Sequence, residues 1–151
     1  MNNIEFGFSL TGLVVYALQL LPNLVWIIKP PVNNVLTKNS SPHRLLNTCE
    51  QVFGILTVVG LILLIYKGNT TSNNSYLGLA ILFLVGYYIA WIFYYRGVVS
   101  PWLLITGIAA MPPLYFFFAA LWMNKFIVLV PCLIFGIVHI FITCATYLKT
   151  S

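Results

Sequence analysis

Apolar positions along this chain gather into five long runs separated by short polar connections: Phe6 to Ile28, Glu50 to Tyr66 with a helical lead-in, Tyr76 to Tyr95, Pro101 to Met123, and Phe126 to Leu148. Crossing a hydrocarbon core takes about 20 helical residues at about 1.5 Å rise each, and runs of this kind reach that length. The pattern predicts an all-α membrane bundle of five transmembrane helices forming one domain over residues 1–151. Ser41 as N-cap with Pro42 at the first helical position is the expected start of the second helix.

The second run is the instructive one. Its uninterrupted apolar stretch ends at Tyr66, and about 20 residues counted back reach Leu46 or Asn47. Glu50, one of only two carboxylates in the chain, is thereby expected inside the membrane. An ionised carboxylate there costs about 2.5 to 3.5 kcal/mol unless something pairs with it. Its candidate partners are Arg96 and His139.

Five alternating helices bring the second halves of the first, third and fifth runs to the same face as the first halves of the second and fourth. That arithmetic gathers Gln19, Asn23, Trp26, Glu50, Trp91, Tyr94, Tyr95, Arg96 and His139 in one half of the bundle. Gln19, Asn23 and Trp26 share a helical stripe at i, i+4 and i+7. Tyr87, Trp91 and Tyr94 form a second stripe, with Tyr88, Trp91 and Tyr95 beside it. Glu50, Asn23, Gln19, Trp91, Tyr88, Arg96 and His139 are therefore the candidate ligand-binding residues. Plainer roles compete with this reading. Trp26, Tyr94, Tyr95 and Trp102 fit an interfacial aromatic belt, Arg96 a snorkelling anchor, Gln19 and Asn23 interhelical hydrogen bonds, and Gly86 with Ala90 close helix packing. Pro22, Pro112-Pro113 and Pro131 each remove a backbone donor inside a run, and the double proline marks a cavity or hinge.

Composition narrows the classes. With 61% hydrophobic and 6% charged residues, no separate soluble domain is expected. The net charge of +5 does not read as a nucleic-acid signal, because Lys29, Lys38, Arg44, Lys67, Arg96, Lys125 and Lys149 stand at helix ends or in loops. Under the positive-inside rule they place the N-terminus outside and the C-terminus inside. A first run without a basic lead or a small-residue cleavage pattern argues against a cleavable signal peptide. The sequons at Asn69 and Asn73 are of a kind that recurs by chance in Asn-rich loops. Cys49, Cys132 and Cys144 lack CxxC spacing, and no metal or other cofactor is expected. The chain lacks GxSxG, HExxH, paired aspartates and a Walker loop, which removes the machinery of several enzyme classes.

The segment Pro22-Asn23-Leu24-Val25-Trp26, Glu50 opening the second helix, Tyr87 to Arg96 closing the third and Gly136-Ile137-Val138-His139 in the last resemble a group of small, largely uncharacterised multi-pass membrane proteins of low-GC Gram-positive bacteria. The resemblance implies a bacterial plasma membrane. Where those proteins carry extra charged residues and a second histidine, this chain has Tyr88, Phe93 and Thr143, so a charge relay or metal site does not carry over. The expected function is binding or transport of a small molecule or lipid through an inner-half cavity around Glu50, with a homodimer if transport applies. The alternatives are an accessory, sensory or immunity-type protein acting through a membrane partner, and a lipid-modifying enzyme using Glu50 and His139.

Overall fold

The computed structural model describes residues 3–68 and 72–148, so the sequon at Asn69 and the charge of Lys149 lie outside the described residues. Five helices are long and apolar enough to cross a membrane. They are α1 (Leu10–Ile28), α2 (Arg44–Leu63), α3 (Asn74–Tyr95), α4 (Leu103–Trp122) and α5 (Phe126–Tyr147). Neighbouring helices run in alternating directions, with α3 against α4 and α2 against α5 the most extensive pairings.

Two corrections concern α1 and α2. The second helix starts at Arg44 with His43 as N-cap, not at Ser41 and Pro42. Asn47 captures the segment instead: its side chain accepts from the Ser41 N–H at 2.9 Å and donates to the Ser41 carbonyl at 2.7 Å. The run also does not remain helical to Tyr66. Leu64–Tyr66 form a strand, β2, paired antiparallel with Ile4–Phe6, β1, in the register Ile4↔Tyr66 and Phe6↔Leu64. The first helix accordingly begins at Leu10, capped by the Ser9 hydroxyl, which accepts from the Gly12 N–H at 3.1 Å. A Glu5–Lys67 ion pair at 2.5 Å closes the ribbon.

The ribbon explains how α2 ends. The last carbonyls of a helix have no intrahelical donors. Here Leu63 accepts from the Gly7 N–H at 3.0 Å, Ile62 from the Ser9 N–H at 2.7 Å, and Leu61 from Lys125 Nζ at 2.5 Å. Lys125 lies in the turn between α4 and α5 and is only 2% exposed. Burial pushes its amine down to about 8. A lysine whose folded value is below its unfolded value of about 10.4 binds fewer protons folded than unfolded between those limits, so stability rises with pH across that window. Thermal unfolding from about pH 8 to pH 10 is expected to show this rise in the wild type and a flatter profile in Lys125→Met. An equal rise in the variant would assign the effect to other groups.

Proline shapes the opposite half. Pro112 and Pro113 cannot donate to the carbonyls of Ile108 and Ala109, and the turns preceding them are wound as a π-helix over Leu103–Ala110 before α-helical geometry resumes at Met111. Pro22 likewise leaves the Leu18 carbonyl without its i+4 donor. The Tyr88 hydroxyl supplies the missing bond at 2.5 Å, and α1 continues unbroken to Ile28. Gly86 and Ala90 of α3 both face α4, against Met111 and Gly107.

Candidate functional site

Residues 29–43, the connection from α1 to α2, fold back over one end of the bundle. A 3-10 turn at Leu36–Lys38 lies within the segment. Tyr94 is its main anchor, because the hydroxyl accepts from the Val35 N–H at 3.0 Å and donates to Asn34 Oδ1 at 3.2 Å. Trp26 Nε1 donates to the same Asn34 oxygen at 2.9 Å. From α5, the Tyr147 hydroxyl donates to the Val35 carbonyl at 2.9 Å, and Thr143 Oγ1 accepts from Asn39 Nδ2 at 3.2 Å. Tyr94 is therefore fully buried and does not belong to an exposed aromatic belt, whereas Trp102 at 68% exposure is placed as such a belt residue would be.

Beneath this roof lies a cavity of about 350 Å³. Gln19, Asn23 and Trp26 reach it from α1, Glu50 from α2, Tyr87 and Trp91 from α3, the π-helical turn and Pro112 from α4, and Phe135, His139 and Thr143 from α5. Leu36 and Asn39 close it from the roof. Such a volume matches the low end of small-molecule sites.

Glu50 pairs with His139 rather than with Arg96: Nδ1 of the imidazole is hydrogen-bonded to Oε1 of the carboxylate. Each side chain is about a fifth exposed (22% and 21%), so the pair borders open space rather than dense packing. Phe135 stacks on the imidazole with ring centroids 5.3 Å apart, and the Thr143 hydroxyl donates to the His139 carbonyl at 2.9 Å. The Phe135 stack and the Glu50 bond hold the ring plane. Across the cavity, Gln19 Nε2 donates to the Tyr87 hydroxyl at 3.4 Å, with Asn23 and Trp91 beside the same group.

Among the described residues, Asn39 Oδ1 and Trp91 Nε1 are the buried side-chain polar atoms without a well-formed hydrogen bond, and Trp91 lies against the Tyr87 hydroxyl. A buried polar group left unpaired costs roughly 1 to 3 kcal/mol, and both atoms are closed off from the open space, so each is a cost of the packing around it.

Of the residues singled out from sequence, Gln19, Asn23, Glu50, Trp91 and His139 line this one cavity. Tyr88 and Arg96 do not. Tyr88 is committed to the Leu18 carbonyl, and Arg96, at the end of α3, borders a separate outer groove with Leu21, Pro22 and Val25. Asn39, Leu36, Tyr87 and Phe135 were missing from the sequence-based site. Tyr87 was visible on the aromatic stripe, whereas nothing in the periodicity of the helices tells where a loop folds back. Among the described residues, no three His, Cys, Asp or Glu side chains gather to hold a metal ion. Comparison of the chain with protein-family models, with curated proteins and with solved structures finds no match.

Proposed function

We propose that this chain is a multi-pass membrane protein that binds a small molecule in the roofed cavity, with its N-terminus outside, its C-terminus inside, and a bacterial plasma membrane as its location. The observation that carries the reading is the convergence on one cavity of the Glu50–His139 pair, the amide residues Gln19, Asn23 and Asn39, and the hydroxyl residues Tyr87 and Thr143. Among apolar side chains such as Leu36, Leu104 and Ile108, the lining holds amides, hydroxyls, two indoles, an imidazole and a carboxylate, which recognise hydrogen-bonding groups. It contains no serine or cysteine nucleophile, which favours binding over covalent catalysis.

Charge placement supports the orientation. Lys67 is matched by Glu5, and Lys125 is spent on a backbone carbonyl, so the end bearing the β-ribbon presents little free positive charge. The roofed end carries Lys29, Lys38, Arg44 and Arg96.

Native mass spectrometry of the protein released from mild detergent, wild type beside Glu50→Gln, tests the binding. A specific small molecule or lipid is expected on the wild type and at about a tenth of that occupancy or less on the variant, the loss that about 1.4 kcal/mol produces. Equal retention by both would remove Glu50 from the site. Retention by neither would shift the reading toward an accessory protein acting through a membrane partner.

A further inference from the structure

A second open space adjoins the first. It has a volume of about 490 Å³ and runs along α2 past Gln51, Gly54, Ile55, Val58 and Val59. The two spaces share Gln19, Glu50 and Phe135, so both open onto the same carboxylate. Both walls are mostly apolar. The roofed cavity is built from all five helices and adds Asn23, Asn39, His139 and Thr143 to the shared Gln19 and Glu50, whereas the groove beyond Glu50 adds only Tyr16 and Gln51 among its polar side chains and reaches the side of the bundle, where Ile55 is 62% and Val59 41% exposed. The side of a spanning bundle faces hydrocarbon.

Resting on the binding reading above, we infer that the ligand is a single-chain amphiphile with a hydroxylated, phosphate-free head: the head occupies the roofed cavity and the hydrocarbon chain lies in the α2 groove. The head is identified by what the cavity offers. A hydroxyl donates and accepts at once, and so answers the Glu50 carboxylate together with the Tyr87 hydroxyl on the facing wall. Neither lysine nor arginine lines the cavity, which leaves a phosphate without a counter-charge beside the Glu50 carboxylate. The amides of Gln19 and Asn23 add further donors and acceptors. Entry from the side also resolves an access problem, since the roof over the other end is bonded to α1, α3 and α5.

Gly54 makes the groove. A methyl group at this position would stand 3.3 Å from the Phe135 ring, the side chain that separates groove from cavity. Gly54→Leu therefore fills the chain path one helical turn from Glu50, and Val59→Trp blocks the mouth from an exposed position.

The test uses the full chain in phosphatidylcholine nanodiscs with a 1-acylglycerol bearing a diazirine at mid-chain. Light-driven adducts are expected on residues 51–59, suppressed by excess 1-oleoylglycerol but not by a lysophosphatidic acid of the same chain. Both groove variants are expected to lower labelling about tenfold. Even labelling of all five helices, full labelling in Val59→Trp, or equal competition by the phosphate-headed lipid would overturn the inference. Glycerol alone, read through the His139 imidazole nitrogen signals, separates the two levels of the argument. A shift in wild type and groove variants without acylglycerol adducts would retain the polar site and refute the chain path. No shift together with no adducts would refute both.

Discussion

Gly12→Val is expected to abolish the folded state. Gly12 lies where α1 crosses the end of α2, and a Cβ added there would stand 1.8 Å from the Leu61 carbonyl oxygen, a backbone atom that cannot swing away. The same oxygen accepts the Lys125 ammonium, so pushing the helices apart also strips a buried cation of its partner. Next to it, Ile62 and Leu63 are capped by residues 9 and 7, which the displacement would carry off together. Overpacking of ordinary cores costs about 1 to 3 kcal/mol, and this case adds the loss of a buried polar contact, for a total on the order of 4 kcal/mol or more. Near-ultraviolet circular dichroism and thermal unfolding in detergent would check it. A variant that melts near the wild type would show that α1 and α2 do not approach this closely.

Glu50→Leu and His139→Leu form the second case, and the expected signature is strong non-additivity. Each single change leaves one member of the pair facing an apolar replacement and is expected to cost roughly 1 to 3 kcal/mol. The double change strands neither group and is expected to cost clearly less than the sum, while ligand retention is lost in all three proteins. A double-mutant cycle on thermal unfolding, run beside native mass spectrometry, measures both effects. Additive losses would mean that the two side chains are not coupled.

The contrast between what these residues disclose in sequence and in space has physical causes. Five helices follow from apolar run length alone, and alternation places Gln19, Asn23, Glu50, Trp91 and His139 in one half of the bundle before any coordinates are known. The β-ribbon escapes such reading because three-residue strands carry no period, and Leu64–Tyr66 continue the apolar run of α2 without a break. Tyr88 shows a subtler limit. It stands on an aromatic stripe next to Trp91, yet its hydroxyl is consumed by a backbone defect that Pro22 creates on another helix. A stripe specifies direction on its own helix, not what waits opposite. Asn39 fails to register for a related reason, as a loop residue gains its place only from the side chains that catch it.

The roof ties early residues to late ones. Val35 is held by Tyr147 across 112 positions of sequence, and Asn39 by Thr143 across 104. During synthesis the α1–α2 connection emerges long before either partner exists, and loop closure over so long a span waits for the last helix. The α3–α4 pair needs nothing from α5, but the main partner of α2, His139 and both α5 latches all arrive with the fifth helix. The cavity is therefore closed only once α5 is in place. A product truncated before α5 would leave Glu50 without His139 and the roof without its Tyr147 and Thr143 latches.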